Sequence, residues 1–384
     1  MTHHAPEFYI GLMSGTSMDG VDGVLVSFDD ASGLDSPRAS LHVKSYASRV
    51  LPSALRDALM ALNQSGEDEL HRAALSANAL MQVYTDVVHD LLHSSGVSAQ
   101  DVQAVGAHGQ TVRHQPGLHD GVGYTWQLNQ PALLAEHTGI DVVADFRSRD
   151  VAAGGQGAPL VPLFHQHVFG RANETVAVLN IGGIANLSVL HGTSPDAHVL
   201  GFDCGPGNVL LDLWCQQHTG QPYDAHGAWA ASGQVLPDLL TRWLQEPFFQ
   251  ATPPKSTGRD LFHADWLHAH LRDFADVEPQ DVQATLTALT AQSCAADVKR
   301  HAPDARELLV CGGGALNDCL MTQLAQALPG LNVCSTASRG LPPMQVEACA
   351  FAWLARQCVK RQTGNSPSVT GARGPRVLGA IYPR

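Results

Sequence analysis

The sequence predicts an α/β protein built from two lobes, and three observations support this fold class. Short apolar runs typical of strands alternate with longer segments in which apolar residues recur every three or four positions, as in sheets flanked by helices. The chain has 384 residues, which is too long for one core and sufficient for two domains. Two hairpin-like stretches, YIGLMSGTSMDGVDGVLVSF at 9–28 and TVAVLNIGGIANLSVL at 175–190, form a weak internal repeat.

Composition and charge restrict the function classes. Hydrophobic residues make up 44% and charged residues 15% of the chain, which is typical of a globular protein. The net charge of -13 argues against a nucleic-acid or anionic-membrane partner and favours a small-molecule ligand. The 8 cysteines include no C-x-x-C pair and predict reduced core thiols rather than a zinc site or disulfides. Since the sequence has no leader-like N-terminus and no apolar run of ~20 residues, we expect a cytosolic protein.

The first hairpin-like stretch has the composition of a phosphate-binding loop. Its strands, 9–13 and 21–28, flank the turn Ser14–Gly20, in which we expect Gly15 and Gly20 to adopt positive φ and bring N–H groups close to a ligand. The turn region adds hydroxyl groups and two carboxylates suited to a hydrated Mg²⁺, on Ser14, Thr16, Ser17, Asp19 and Asp22. An ordinary hairpin explains the same residues equally well. The dinucleotide and Walker patterns do not occur in the sequence.

A long helix is predicted between Asp68 and Gly96, because apolar residues recur there at helical spacing. The stripe consists of Leu70, Ala74, Ala77, Met81, Tyr84, Val88 and Leu91. Around this helix the sequence predicts strands at 41–46, 102–107, 124–128 and 140–144, a helix at 52–63 and another helix with a capped start at Asn129-Gln130-Pro131. The first lobe is therefore expected to be α/β.

Polar residues follow two of these strands, at the sheet edge where open α/β sheets bind ligands. His108-Gly109-Gln110-Thr111 follows the strand 102–107, and Asp145-Phe146-Arg147 follows the strand 140–144. Arg147 suits a two-pronged hydrogen bond to a carboxylate, and a loop network with Asp145 or Asp150 is the alternative. The small, glycine-rich segment 152–159 predicts a hinge at the crossing between the lobes.

The second lobe begins with the second hairpin, in which Gly182-Gly183 forms the turn and Asn180, Asn186 and Ser188 are neutral donors near it. A Gly-Gly hairpin alone is more often only a hairpin, but its pairing with the first loop favours phosphate contact. Further along, a strand at 199–202 turns sharply at Asp203-Cys204-Gly205-Pro206-Gly207-Asn208 into a helix at 209–215. Asp203 is then either a general base at the carboxyl end of the strand or a cap of the turn.

The remainder of the chain continues the α/β pattern. We assign no catalytic role to the irregular stretch 248–260. A helix at 279–299, a strand at 308–311, the close-approach loop Gly312-Gly313-Gly314 and a helix from Leu316 follow. The last helix, 345–361, has Glu347 in an otherwise apolar first turn, which is favourable at a helix N-terminus.

Seven strings occur in order along nearly the whole chain: GLMSGTSMDGVDGVLV, GAHGQTVRH, ADFRSRDVAAGGQGAPLVP, LNIGGIANLS, GFDCGPGN, PPKSTGRDLF and VCGGGALN. Together they resemble the anhydro-N-acetylmuramic acid kinase family, a member of the sugar kinase, Hsp70 and actin superfamily. The resemblance implies two RNase H-like lobes with mixed sheets, with ATP in the cleft between them. It divides the chain into a first lobe, 1–150 with the tail 363–384, and a second lobe, 151–362.

The same resemblance implies the activity and the site. The family opens 1,6-anhydro-N-acetylmuramic acid with water and phosphorylates its 6-oxygen from ATP in cell-wall recycling, with Asp203 as the base that activates water. The implied ATP residues are Ser14, Gly15, Thr16, Ser17, Met18, Asp19, Gly20, Asn180, Gly182, Gly183, Gly312, Gly313, Gly314 and Asn317, with Mg²⁺ bound to Asp19 through water. The implied sugar residues are His108, Gln110, Thr111, Arg147 and Glu347. The implied partner is the anhydrosugar, without nucleic acid or membrane, and a homodimer is compatible with it.

Two alternatives stay open at this point. One is another sugar kinase with an ordinary hydroxyl acceptor. The other is an Hsp70-like or actin-like protein that uses ATP to switch conformation or assemble; the chaperone version is disfavoured because no peptide-binding segment follows the second lobe.

Overall fold

The computed structural model describes residues 6–15, 18–29, 40–192, 198–258, 261–274 and 276–384. Within these ranges the strands are β1 (Glu7–Met13), β2 (Gly20–Asp29), β3 (Ser40–Val50), β4 (Val102–Ala107), β5 (Gln110–Pro116), β6 (Gly123–Leu128), β7 (Val142–Ala144), β8 (Thr175–Ile181), β9 (Ile184–His191), β10 (Val199–Pro206), β11 (Glu307–Cys311), β12 (Asn332–Ser335) and β13 (Ala380–Tyr382).

The α-helices of the same ranges lie between these strands and flank the sheets. They are α1 (Ser53–Ala61), α2 (Glu69–Ser95), α3 (Pro131–Thr138), α4 (Ser148–Ala152), α5 (Val161–Phe169), α6 (Val209–Thr219), α7 (Ala228–Ser232), α8 (Pro237–Leu244), α9 (Ala264–Leu271), α10 (Pro279–His301), α11 (Asp318–Ala327), α12 (Val346–Val359) and α13 (Pro367–Thr370). The α/β class expected from the sequence is confirmed. In the part of the chain that the structure describes, no helix is long and apolar enough to cross a bilayer.

The chain divides into two compact units. Unit 1 contains the residues through Val168 together with Gln345–Arg384, and unit 2 contains Phe169–Met344. The segment 152–159, which we expected at the crossing between lobes, lies inside unit 1, since the chain passes between the units at Val168 and Phe169. Asp150 holds this segment, because its backbone carbonyl and its Oδ2 atom accept hydrogen bonds from the N–H groups of Gly155 and Gly157. The segment is thus a fixed loop of unit 1.

Unit 1 contains a mixed sheet with the strand order β13-β7-β4-β1-β2-β3. β1 is antiparallel to β2 and parallel to β4. Glycines allow a helix to pack closely on each face: a Cβ at Gly11 would lie 1.9 Å from the carbonyl oxygen of Ala348 in α12, and a Cβ at Gly23 would lie 2.4 Å from Val87 in α2. Because Gly23 pairs with Leu12, the residue after Gly11, the two glycines face opposite sides of the sheet.

Helix α2 confirms the long amphipathic helix and its predicted ends at Asp68 and Gly96, but its buried face begins later than expected. It ends at Gly96, whose φ of 70° and N–H bond to Leu92 form a C-terminal cap. Leu70, however, is 76% exposed, and the buried face begins at Ser76. The predicted start of the next helix is confirmed, because Gln130 is the cap residue and Pro131 the first residue of α3, but the Gln130 side chain makes no capping bond.

Unit 2 contains a mixed sheet with the order β10-β9-β8-β11-β12. β8, β9 and β10 form an antiparallel meander, and β11 and β12 continue the sheet parallel to β8. Helix α10 packs on β9 and β10 and also contacts α6, α7, α8 and α11. All eight cysteines are free thiols; six are buried, as predicted for core thiols, whereas Cys319 and Cys334 are only partly buried.

Candidate active site

The first predicted phosphate loop connects β1 to β2, and the structure describes it except for Thr16 and Ser17. The predicted ligand contacts of those two residues therefore lie outside the described residues. Met18 has a positive φ of 57°, and its side chain is buried in the core. The expectation of a positive φ at Gly20 is wrong, because Gly20 is in β2 and a Cβ there would lie 2.7 Å from the carbonyl oxygen of Arg49. Close packing, rather than turn geometry, requires that glycine.

Side chains from neighbouring elements support this turn. The Gln110 amide is completely buried and donates from Nε2 to the Gly15 carbonyl at 3.1 Å. The Ser14 hydroxyl is buried, 3.0 Å from the Tyr84 hydroxyl, and donates to the Gly109 carbonyl at 3.2 Å. Burial raises the pKa of Tyr84 to about 12, so this phenol stays neutral. The side chains of Ser14 and Gln110 thus support the turn from the protein interior, whereas Gly15 itself is partly exposed.

The two carboxylates of the turn region differ in their surroundings. Asp19 is exposed, whereas Asp22 accepts a hydrogen bond of 2.6 Å from the Tyr46 hydroxyl. Burial, followed by the hydrogen bond to Asp22, raises the pKa of Tyr46, so it remains the donor. Among the described residues, no three His, Cys, Asp or Glu side chains form a ready-made metal cluster. One exposed carboxylate fits Mg²⁺, which keeps several waters and is bound by one or two carboxylates together with substrate phosphates.

His108 and Arg147, predicted as sugar-binding residues, contact each other. The Nη2 and Nε atoms of Arg147 lie 2.9 and 3.1 Å from His108 Nε2, and its Nη1 atom donates to the Gly157 carbonyl at 2.8 Å. Burial, followed by the charge of Arg147, holds the pKa of His108 well below its ordinary value. Because guanidinium can only donate, Nε2 of the neutral ring is the acceptor. These bonds join Arg147 to His108 and Gly157, whereas the alternative we considered named Asp145 or Asp150 as its partner; Asp150 is linked to the network through the Gly157 N–H.

The other three predicted sugar residues also lie in unit 1: Gln110, which supports the turn at Gly15, Thr111 and Glu347. Thr111 is in β5, a strand that the sequence analysis treated as a loop, and its hydroxyl accepts a hydrogen bond of 3.2 Å from Gln127. Glu347 is in the first turn of α12, the helix that packs on β1 and β4 behind His108. The His108 ring lies 4.6 Å from the ring of Phe351, one turn further along α12. Unit 1 thus brings His108, Arg147 and the helix of Glu347 together.

In unit 2, the β8–β9 turn is held by the backbone that follows β10. The Gly182 carbonyl accepts from Asn208 N–H at 2.8 Å, and the Gly183 carbonyl accepts from the N–H groups of Gly207 at 2.9 Å and Val209 at 3.1 Å. A Cβ at Gly207 would lie 2.3 Å from the Gly182 carbonyl oxygen. The predicted phosphate turn and the turn after Asp203 are therefore one connected structure.

The glycine loop after β11 packs against the end of β8. Gly312 has a φ of 76°, and a Cβ there would lie 2.6 Å from the Asn180 side chain, which is itself 4% exposed. A Cβ at Gly314 would lie 2.4 Å from Ile181. The space beside these glycines is thus occupied by protein, so packing explains them without a ligand. Asn317 caps α11 by accepting from Leu320 N–H at 3.0 Å. The structure brings Asn180 next to Gly312 and gives Asn317 a structural role.

Asp203 lies within β10, not at its end as expected, because β10 continues to Pro206. The pairing of β10 with β9 shifts register between Asp203 and Gly205, which marks a β-bulge. Asp203 is partly exposed, and its Oδ2 accepts a hydrogen bond of 3.0 Å from Thr257 N–H. A distant segment rather than the following turn therefore holds the carboxylate in this contact. The partly exposed carboxylate at a bulge is suited to accept a proton.

Sequence analysis missed the residues that support Asp203. Lys255 and Thr257 lie in the stretch to which we assigned no role, and the backbone N–H of Asp203 donates to the Lys255 carbonyl at 3.2 Å. Lys255 also pairs with Asp297 of α10. The only sequence signal was the string PPKSTGRDLF, which does not reveal that the stretch lies beside β10.

Comparisons with known proteins agree along the whole chain. Residues 7–384 match the family model described as anhydro-N-acetylmuramic acid kinase. The anhydro-N-acetylmuramic acid kinase of Variovorax paradoxus (strain S110) is 60% identical over 381 residues, which cover 99% of this chain and 100% of that protein. The protein of the same name from Cupriavidus metallidurans is 59% identical over 380 residues, which cover 98% of both.

A more distant relative and a solved structure also cover most of the chain. The anhydro-N-acetylmuramic acid kinase of Chromobacterium violaceum is 53% identical over 379 residues, 98% of this chain and 100% of that protein. A ROK family glucokinase from Streptomyces griseus, solved with glucose and AMPPNP, covers 91% of this chain and 99% of its own at 13% identity, with a TM-score of 0.39. We base no conclusion on that structural similarity.

Proposed function

The chain belongs to the anhydro-N-acetylmuramic acid kinase family and is an ATP-dependent sugar kinase, and from this premise we propose the reaction that its residues perform. The substrate is 1,6-anhydro-N-acetylmuramic acid, and the products are N-acetylmuramic acid 6-phosphate and ADP. This reaction would serve cell-wall recycling. An ordinary hydroxyl acceptor and an ATP-driven switch without a sugar acceptor are the alternatives that this proposal replaces.

The proposed chemistry couples two bond changes. Asp203 takes a proton from water as the water oxygen attacks the anomeric carbon, and the bond from that carbon to the 6-oxygen breaks. The 6-oxygen keeps the electron pair and attacks the γ-phosphorus of ATP, whose bond to the bridging oxygen breaks to release ADP. Asp203 then returns its proton to solvent. Only one protein base is required, because the leaving oxygen of the first change is the nucleophile of the second.

One observation supports this role of Asp203 above the others. Its carboxylate is partly exposed at a β-bulge, and Thr257 N–H donates to one oxygen at 3.0 Å. This backbone donor fixes the direction of the carboxylate. The neighbouring turn is locked to the β8–β9 hairpin through Gly207 and Asn208. Such a carboxylate can accept a proton without rearrangement of the backbone.

We infer that both glycine turns serve ATP. In unit 1 the backbone around Gly15, with Met18 and Gly20, would contact phosphate, and Asp19 would hold Mg²⁺ through water. When bound, this ion neutralises phosphate charge. In unit 2 the turn Gly182-Gly183 and the loop Gly312–Gly314 would contact the nucleotide, the loop through Gly313 and Gly314, since the Gly312 N–H donates to the Pro343 carbonyl. His108, Arg147, Thr111 and Glu347 would orient the sugar, whereas Gln110 would support the turn at Gly15.

We further propose that the protein works in the cytosol and binds neither nucleic acid nor membrane, in keeping with its net charge of -13. A homodimer is proposed as well, and light scattering at several protein concentrations tests it.

Replacement of Asp203 by asparagine tests the base. Asp203→Asn keeps the shape of the side chain but cannot accept the proton, so we expect turnover to fall about hundredfold or more while ATP affinity stays within twofold. Steady-state kinetics and calorimetry measure the two effects. The control is Asp318→Asn, which removes a carboxylate that is 80% exposed in the same unit. Normal turnover of Asp203→Asn would exclude Asp203 as the base.

Oxygen-18 water tests the proposed order of bonds independently of any variant. We expect the label in the anomeric hydroxyl of the phosphosugar and none in its phosphate. Label in the phosphate would show that water attacks phosphorus instead, and mass spectrometry of product fragments distinguishes the two patterns.

A further inference from the structure

A buried ion pair lies behind Asp203 in unit 2. The Lys255 Nζ atom is 3.0 and 3.3 Å from the two carboxylate oxygens of Asp297, and the two side chains are only 3% and 4% exposed. Lys255 Nζ also lies 5.0 Å from the ring centre of Phe248 and 5.5 Å from that of Phe202, the residue before Asp203. The side chain of Lys255 is thus almost completely buried, and its ammonium group lies between two aromatic rings and one carboxylate.

Such a pair is an inefficient way to gain stability. Removing both charges from water costs about as much as their attraction returns, and apolar residues of similar volume often stabilise a core as well or better. What an ion pair adds over apolar packing is a defined distance and direction between two segments. The segments here are the loop that contains Lys255 and the helix α10 that contains Asp297.

The loop fixed in this way contacts Asp203 on two sides. The Lys255 carbonyl accepts from the Asp203 N–H at 3.2 Å, and the Thr257 N–H donates to Asp203 Oδ2 at 3.0 Å. Helix α10 also holds the chain just beyond Asp203, since the Thr290 hydroxyl lies 3.0 Å from the Pro206 carbonyl and 3.1 Å from that of Gly207. One helix therefore anchors both the loop beside Asp203 and the turn after it.

We propose that the Lys255–Asp297 pair is a positioning device for the carboxylate of Asp203. This inference rests on the proposed role of Asp203 as the base. The pair contacts no substrate; it fixes the loop so that Thr257 N–H meets Asp203 Oδ2 and holds the carboxylate in the orientation in which it acts on water. Loss of the pair leaves the base present but misdirected.

The test replaces both members of the pair, because either single change would leave a lone buried charge. In Lys255→Met/Asp297→Leu we expect kcat to fall about ten- to hundredfold, the cost of a base misplaced by about 1 Å, while the KM for ATP stays within twofold. The matched control is the partly buried pair Arg339–Glu307 of the same unit, changed to Arg339→Met/Glu307→Leu. This control should alter the melting temperature but not kcat.

A double-mutant cycle with Asp203→Asn distinguishes an effect of the pair on the position of Asp203 from a general loss of enzyme activity. If the pair acts through Asp203, Asp203→Asn should cost about hundredfold in the wild-type background but less than about tenfold in the Lys255→Met/Asp297→Leu background. In the control background it should again cost about hundredfold. Full, independent losses in the Lys255→Met/Asp297→Leu background would overturn the positioning role and leave the proposed reaction intact. An active Asp203→Asn in the wild-type background would overturn both.

A second variant keeps the test valid if the apolar pair does not fold. Lys255→Arg keeps the charges paired but introduces a larger, planar head group, which must shift the loop backbone. We expect a lower kcat with an unchanged KM for ATP and a dependence on Asp203 reduced in the same way. Unchanged kcat in a folded Lys255→Arg would contradict the proposal.

Discussion

The two glycine turns, β1–β2 in unit 1 and β8–β9 in unit 2, occupy the same place in similar sheets but are supported differently. The sheet orders β3-β2-β1-β4-β7 and β10-β9-β8-β11-β12 correspond strand by strand. In unit 1 the Gln110 side chain holds the turn from a separate hairpin. In unit 2 the Gly182 and Gly183 carbonyls are held by backbone N–H groups of the turn after β10.

This difference separates the two turns in sensitivity to substitution. A turn held by a side chain loses one hydrogen bond when that side chain is removed, and the backbone can remain in place. A turn held by the backbone of a second segment requires close contact between the two segments. A side chain added at this contact therefore moves both segments. In unit 2 such movement would reach Asp203, because the contacting turn begins at Gly207, at the end of the strand that contains Asp203.

The largest expected effect breaks the contact in unit 2. Gly207→Val places a side chain where even a Cβ lies 2.3 Å from the Gly182 carbonyl oxygen, so we expect a loss of about 3 kcal/mol in the free energy of unfolding. Gly220→Ala is the control, since its φ is 73° and no heavy atom lies within 4 Å, and it should cost about 1 kcal/mol. Denaturant unfolding measures both values. Equal costs would mean that the contact can yield.

The second prediction concerns stability at acidic pH. As the pH falls, we expect unit 1 to lose stability before unit 2. Burial holds the pKa of His108 well below its ordinary value and lowers the pKa of His165 to about 3. Below pH about 6.5 these two histidines bind protons in the unfolded chain but remain neutral in the folded protein. The free energy of unfolding therefore falls as the pH falls, by about 1.4 kcal/mol per pH unit for each ring. In unit 2, His301 has a pKa lowered by burial but is only half-buried.

Hydrogen exchange at pH 7 and pH 5.5, corrected for intrinsic rates, measures this difference. Peptides of unit 1 should lose more protection than peptides of unit 2, and His165→Phe should reduce the loss. If unit 2 loosens first, the buried histidines do not determine the acid response.

The smallest expected effect comes from a substitution that removes a support of the β1–β2 turn in unit 1. Gln110→Leu removes the donor to the Gly15 carbonyl, and we expect a loss of about 1 kcal/mol in stability and a five- to tenfold weaker MgATP affinity. Sugar affinity should be unchanged because Gln110 is completely buried. Gln127→Leu, which removes bonds within the β5–β6 hairpin, is the control. If calorimetry shows that sugar affinity falls first, Gln110 binds the sugar directly and the turn has another support.

Much of the fold was predictable from local patterns. Strands 102–107 and 175–181 match β4 and β8 residue for residue, because their apolar runs are bounded by polar or glycine residues. Strand β5 was missed because QTVRHQP alternates weakly and follows a glycine that suggests a loop. Asp203 was placed at a strand end because a Gly-Pro-Gly turn follows it, whereas pairing with β9 extends the strand through a bulge.

The sequence by itself predicted which residues are candidates for the chemistry. The glycine turns, Asp203, His108 and Arg147 could be named without contacts because they lie in strings whose order along the chain resembles one family. Only the tertiary structure decided how these residues are supported: Gln110 beneath the first turn, Gly207 against the second, Lys255 and Asp297 behind Asp203. These partners lie up to 95 residues apart along the chain. Local sequence specifies backbone preference and burial, but a hydrogen bond or ion pair between distant residues depends on packing that no local pattern encodes.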